Sequence, residues 1–168
     1  VPMAIKTAED LFIHGLSDIY SAEKQLTKAL PRLVRAAENP DLAAAFETHL
    51  EETQGQIERI DQVVETLGIK LKRIKCAAME GLVEESKEVI ESIEKGPVRD
   101  AALIGGAQKV EHYEIASYGT IAAMARQLGY KDAVPLLLET LEEEKATDEK
   151  LTLLALQGGG NEKAAAAR

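Results

Sequence analysis

The chain has 168 residues, and its 29 acidic residues outnumber the 20 lysines and arginines, giving a formal net charge of -9 at pH 7. This balance argues against nucleic acid or an anionic membrane as the main partner. Cys76 is the only cysteine, so an internal disulfide is excluded. No secretory signal is visible, and no apolar run reaches the roughly 20 residues of a membrane span. These features predict a cytoplasmic protein.

The hydrophobic spacing predicts five helices in chain order. The first has Thr7 as a candidate N-cap, and Asp10 three residues later completes a capping box. Asn39-Pro40-Asp41 is a short break before the second helix, which Gly68 ends. The predicted helices span about residues 7–38, 42–67, 77–95, 98–128 and 132–156.

The lengths of the loops predict the topology. Short loops join the first helix to the second and the fourth to the fifth, so each pair forms an antiparallel hairpin. A crossover of roughly 30 residues, containing the third helix, connects the hairpins as in ferritin-like bundles. The sequence therefore predicts an all-α, ferritin-like four-helix bundle over residues 6–157. The tail, 158–168, begins with a run of glycines and is predicted to be disordered.

Two apolar rows at helical spacing include carboxylates. They are Phe12, Leu16, Ile19, Glu23, Leu26, Leu30, Leu33, Ala37 and Val134, Leu137, Leu141, Glu144, Asp148, Leu151, Ala155. Because the apolar members must face a core, Glu23, Glu144 and Asp148 are expected to face it too. An uncompensated buried charge costs several kcal/mol, against a total domain stability of about 5–15 kcal/mol. A bound cation is one group that could neutralise them.

Folding the first hairpin about its loop places Glu23 beside Gln56, one turn from Glu52. The apolar row of the second helix leaves Glu52 and Gln56 at its edge; that row is Phe46, Leu50, Ile57, Ile60, Val64 and Leu67. His49, one turn before Glu52, is expected to form a hydrogen bond between helices, with a supporting role beside a metal as the alternative.

Folding the second hairpin about its loop places Glu144 and Asp148 beside the segment that contains Glu111 and Glu114, which share one helix face. His112 points about 100° away from Glu111 and is a poor co-ligand. The pattern Glu-Glu-x-x-x-Gln at 51–56 and Glu-Glu-x-x-x-Asp at 143–148 suggests a weak internal repeat.

Two acidic layers of this kind could form a di-metal carboxylate site in the bundle core. Oxygen-rich ligands favour hard or borderline cations, here iron or manganese, which could support oxygen- or peroxide-linked chemistry. The alternative is a set of solvated or ion-paired acids with Arg59, Lys109 or Lys145 as partners. The candidate metal ligands are Glu23, Glu52, Gln56, Glu111, Glu114, Glu144 and Asp148.

Several segments resemble the bacterial YciF stress-protein family, and the resemblance covers the chain from Lys6 to about Leu156. It implies a ferritin-like bundle related in shape to rubrerythrins, a homodimer, a metal site and a role in the stress response. The segments that carry it are Tyr20–Leu26, His49–Thr53, Ala78–Leu82, Glu111–Ala116 and Leu141–Lys145.

The chain departs from ferritins and rubrerythrins, which carry Glu-x-x-His on two helices. Gly55 and Thr147 stand where those histidines would be, and Gln56 stands where many relatives of the YciF type carry histidine. One alternative is therefore a non-enzymatic, dimeric structural or partner-binding stress protein with a degenerate, metal-free site. A DNA-protecting role is disfavoured because the tail carries only Lys163 and Arg168 against Glu162.

Overall fold

The computed structural model describes residues 4–156 and 160–167. The described residues form helices and no strands, as the sequence predicts, and within them no helix is both long and apolar enough to cross a membrane. The helices are α1 (Ala8–Ala36), α2 (Pro40–Leu67), α3 (Ala77–Ser92), α4 (Pro97–Gln127), α5 (Ala133–Leu156) and α6 (Gly160–Ala166).

Local sequence signals fix the helix ends. The predicted capping box of α1 is confirmed, since the Thr7 side chain accepts from the Asp10 N–H at 3.0 Å and Asp10 accepts from the Thr7 N–H at 3.1 Å. At the start of α2, the Asn39 side chain accepts from the backbone N–H of Asp41 at 2.8 Å. Gly68 ends α2 in the left-handed region at φ 62°, a conformation that glycine adopts without a Cβ penalty.

The four long helices form the predicted bundle. The hairpins α1–α2 and α4–α5 pack most extensively, and they meet through contacts of α2 with α5 and of α1 with α4. The long crossover carries α3, which packs against α1 and α4. This connection returns the chain along the bundle, so that α2 and α4 run in the same direction on opposite corners.

The core lies between the four helices and includes the predicted row of α1. Every member of that row, from Phe12 to Ala37, is buried, and Glu23 in the middle of the row is 0% exposed. On α5 the structure buries Leu137, Leu141, Glu144 and Leu151. Carboxyl groups therefore lie at the centre of an otherwise apolar core.

The connector 69–76 is held against α1 by polar contacts. The hydroxyls of Ser17 and Ser21 accept from the backbone N–H groups of Lys72 and Cys76, each at 2.9 Å. Gln25 donates to the carbonyl of Cys76 at 3.1 Å. These three contacts fix the point at which α3 begins.

The end of the chain differs from the predicted disordered tail over 158–168. Gly160–Ala166 form the short helix α6, which contacts α4 and α5. The alanines that follow Lys163 have high helix propensity, which outweighs the effect of the preceding glycines. Residues 157–159 and 168 lie outside the described part of the chain.

Candidate metal centre

Three helices bring a histidine and three glutamates to one level of the core. His49 on α2, Glu111 and Glu114 on α4, and Glu144 on α5 each offer a ligand atom, and these atoms all lie within 4.8 Å of one another. His49 is 3% exposed and the three glutamates are 0% exposed. A buried group of this composition could hold a metal ion.

Glu23 adds a carboxyl group from α1, the fourth corner of the bundle. The hydroxyl of Tyr118, a fully buried residue of α4, donates to Glu23 Oε2 at 3.2 Å. The other oxygen, Oε1, has no hydrogen-bond partner. Burial raises the pKa of Glu23 to about 8, and the nearby charge of Glu144 acts in the same direction.

Buried side-chain atoms without a hydrogen-bond partner are concentrated in this one region. Protein interiors pair nearly all of their buried polar atoms, so such a concentration requires an explanation. Eight of the nine atoms are oxygens, which can serve as metal ligands. Within the described ranges the nine atoms are Glu23 Oε1, His49 Nε2, Gln56 Oε1 and both carboxyl oxygens of Glu111, Glu114 and Glu144.

The contact between His49 and Glu111 has the distance of a hydrogen bond without its geometry. Nε2 lies 2.8 Å from Glu111 Oε1, yet neither atom has a hydrogen-bond partner. Burial lowers the pKa of His49 and raises the pKa of Glu111 well above its ordinary value. A neutral imidazole is the form that binds metals. Two acceptor atoms this close need a proton or a cation between them.

Gln56 is buried to 1% exposure, so the edge of the apolar row at which it was predicted faces the core. Its amide nitrogen donates to Glu143 Oε1 at 3.1 Å. Both terminal nitrogens of Arg59 also donate to Glu143, at 2.7 and 2.8 Å. This bidentate pair joins α2 to α5 and fixes the amide of Gln56 so that its oxygen remains without a donor.

Two candidate ligands lie outside the four-residue group. Glu52 is half-buried and accepts from the hydroxyl of Thr147 at 3.2 Å. Asp148 is 22% exposed and its Oδ2 lies 3.2 Å from Nε2 of His112. A step of four residues rotates about 40° past a full turn, which turns Asp148 away from the direction of Glu144. The two halves of the suggested repeat therefore place their acids differently.

The alternative of ion-paired acids does not apply to the buried carboxyl groups. Among the described residues no lysine or arginine forms an ion pair with Glu23, Glu111, Glu114 or Glu144. The three basic residues considered as partners contact other acids: Arg59–Glu143 at 2.7 Å, Lys109–Glu85 at 3.6 Å and Lys145–Glu142 at 3.1 Å.

Sequence reasoning missed His49 as a member of the metal-capable group. Its expected contact between helices is present, but the partner is a buried carboxyl group of that same group. The buried face of α2 runs through His49, Thr53, Gln56 and Ile60 at helical spacing. This mixed polar row was the available signal, and the more apolar row beside it obscured it.

Comparisons with known proteins agree with this architecture. Residues 7–165 match the family described as Domain of unknown function (DUF892). The chain is 70% identical over 155 residues to Protein YciF of Escherichia coli K12, covering 92% of this chain and 93% of that protein.

Two solved structures of similar proteins share the fold. The crystal structure of the Escherichia coli stress protein YciF matches with a TM-score of 0.91 and 68% identity, over 95% of this chain and 99% of that one. YcfI from Rhodopseudomonas palustris matches with a TM-score of 0.85 and 50% identity, over 90% of this chain and 97% of that one. The resemblance to the YciF stress proteins is confirmed, and the chain belongs to the DUF892 family.

Proposed function

We propose that this protein is a ferritin-like bacterial stress protein that binds two iron or manganese ions in the core of its bundle. The observation that carries the proposal is the set of nine buried, unpartnered polar atoms on side chains from four helices. Iron or manganese bound there would supply redox chemistry with oxygen or peroxide. The proposed ligands are His49, Glu111, Glu114, Glu144 and Glu23, with the amide oxygen of Gln56.

The charge of the site supports two ions. Glu23, Glu111, Glu114 and Glu144 are each 0% exposed and would carry four negative charges when ionised. Two divalent cations balance that charge, which a single cation cannot do. Carboxylate-rich sites with one imidazole suit iron and manganese better than the thiolate-preferring soft metals.

The chain's own residues orient and shield the proposed ligands. Tyr118 holds one oxygen of Glu23, and the Arg59–Glu143 pair fixes the amide of Gln56. Supporting contacts of this kind limit the motion of ligands and are as important as the ligands themselves. Ile19 lies one turn before Glu23 on α1 and is 0% exposed, so it limits the access of water from that side.

Metal content tests the proposal. The protein is purified without a metal column, treated with chelator, loaded anaerobically with Fe(II) or Mn(II), desalted and analysed by mass spectrometry. We expect about two ions per chain, the number in di-metal bundle sites. The variant Glu23→Gln/Glu144→Gln should lose them, whereas the matched control Glu52→Gln/Asp148→Asn should retain them. A folded wild-type protein that stays empty would contradict the proposal.

A specific observation favours a second candidate, a structural or partner-binding stress protein with a metal-free site. Burial raises the pKa of Glu111 and of Glu114 well above the ordinary value, as it does for Glu23. These groups could therefore remain protonated and hydrogen-bond to one another. In that case Glu23→Gln/Glu144→Gln would be at least as stable as wild type in every buffer. Added metal would not change the unfolding of the wild-type protein.

We also propose that the protein is a cytoplasmic homodimer that does not bind nucleic acid. The net charge of -9 supports the last point because a polyanion would be repelled. Light scattering at several concentrations tests the dimer. A gel-shift assay with duplex DNA at low salt tests nucleic-acid binding, and a retarded band would contradict that part of the proposal.

A further inference from the structure

A cavity of about 320 Å³ lies between α1, α3 and α4. Its volume is at the lower end of the range of small-molecule pockets, roughly 300–1,000 Å³. Aliphatic side chains form most of its wall, among them Leu26, Leu30, Leu103 and Val110. The cavity is therefore suited to an apolar ligand.

The crossover helix α3 covers the cavity without filling it. Met79 is the only buried residue of α3. The apolar residues Leu82, Val83 and Val89 of α3 are only half-buried, although they line the cavity. A ligand that removes this uncovered apolar area from water lowers the free energy of the system, which favours binding.

Small residues on α4 create the space. Gly106 lies in the wall opposite α3, and a Cβ added at this position would meet no atom within 4 Å. At the rim, Lys109 of α4 lies 3.6 Å from Glu85 of α3, and both side chains are exposed. The cavity thus has an apolar body and a charged rim.

The cavity reaches the candidate metal centre. His49 is the only residue of α2 among those that line it, and it is 3% exposed. The same imidazole lies 2.8 Å from Glu111 in the metal-capable group. A ligand that fills the cavity would therefore contact a side chain that also faces the proposed metals.

We infer that this cavity binds an aliphatic small molecule, with its chain beneath α3 and one end against His49. The cavity's role as a substrate site rests on the proposed metal function, whereas binding of the ligand does not. The occupant is a small molecule rather than a second copy of the chain because the space beneath α3, about 320 Å³, accommodates a short aliphatic chain, whereas a protein partner would have to desolvate the charged Lys109–Glu85 pair at the rim.

Binding of 1-octanol, measured by titration calorimetry on the metal-free, full-length protein, tests the inference. We expect saturable binding that Gly106→Leu weakens by about tenfold or more, because the new side chain fills the cavity. Gly105→Leu is the matched control, since Gly105 is exposed, also meets no atom within 4 Å and does not line the cavity. If Gly106→Leu does not fold, Gly106→Ala, which only adds a methyl group, should give a smaller loss of affinity.

The position of the ligand is tested by nitrogen-15 NMR of the imidazoles. The chain has three histidines, His14, His49 and His112. Octanol should shift the resonances of His49 alone in wild type, and should shift none in Gly106→Leu. Equal shifts at all three histidines, or no shift at His49, would overturn the inference.

The inference and the proposed metal function fail in different ways. Absence of octanol binding, or equal binding by wild type and Gly106→Leu, overturns the pocket even if the protein binds two metal ions. An empty metal centre in a protein that binds octanol overturns the metal function alone. A protein that excludes octanol at high concentration but binds it as a diluted monomer would show a second copy as the occupant, which also overturns the inference.

Discussion

The buried carboxyl groups predict an unusual pH dependence for the stability of the metal-free protein. An acid whose pKa is raised by folding binds its proton more tightly in the folded state. Its contribution to stability is fully present below its ordinary pKa and is lost as the pH rises through the folded value. For Glu23 these limits are 4.5 and about 8. In chelator, stability should therefore fall between pH 5 and pH 8.

The magnitude follows from the size of that interval. One pKa unit corresponds to about 1.4 kcal/mol, so Glu23 alone accounts for a loss on the order of 4 kcal/mol across the interval. Glu111 and Glu114 act in the same direction because burial raises the pKa of each. This is a large share of a typical domain stability of about 5–15 kcal/mol.

Urea unfolding at several pH values, followed by circular dichroism in EDTA, measures the effect. The isosteric variant Glu23→Gln should show a clearly flatter dependence than wild type because its amide does not titrate. Saturating Mn(II) should reverse the trend in wild type, since metal binds the deprotonated ligands. Stability in EDTA that is flat or rises from pH 5 to pH 8 would refute this account of the buried acids.

Three further predictions follow from individual contacts. Asp148→Asn and Glu52→Gln should each leave the metal content unchanged, whereas Glu144→Gln should lower it. Mass spectrometry of the loaded protein measures the metal content of each variant. Equal losses in all three variants would contradict the position of Asp148 and Glu52 outside the metal-capable group. Arg59→Met breaks the bidentate pair with Glu143 and should destabilise the fold by about 1–3 kcal/mol in urea unfolding, with an unchanged midpoint as the contrary result. Asp100 is 3% exposed and accepts hydrogen bonds from the backbone N–H groups of residues 38 and 39 at 2.8 and 2.9 Å. Asp100→Ala should therefore lower the free energy of unfolding by about 2–4 kcal/mol in the same assay. A decrease below about 1 kcal/mol would contradict that role.

The helices and their topology could be predicted from the sequence because their signals are local. The capping box at Thr7, the Asn39-Pro40 break and Gly68 act within a few residues of each helix end. The row through Glu23 on α1 is amphipathic enough to identify its buried face without knowledge of the neighbours.

The exact composition of the site could not be predicted in the same way. Whether Glu52 or His49 faces the core depends on a rotation of α2 by about 60°, the difference between a step of three residues and a full turn. Packing against α1 and α5 decides that rotation, and no local pattern records it. The position of Asp148 beside His112 likewise depends on how α4 and α5 meet.

The cavity beneath α3 was also beyond the reach of the sequence. Leu82, Val83 and Val89 form an ordinary apolar helix face, which predicts packing but not the distance to the partner helix. Whether the space beneath α3 is filled depends on the missing side chain at Gly106 of α4, more than a dozen positions away in the chain.

Anomalous diffraction from crystals of protein loaded with Mn(II) or, anaerobically, with Fe(II) tests the central claim most directly. The account predicts two peaks at the metal absorption edge in the bundle core, bounded by His49, Glu111, Glu114 and Glu144, and no comparable peak beside Asp148. A core free of anomalous density at saturating metal, with these carboxyl groups hydrogen-bonded to one another, would contradict it.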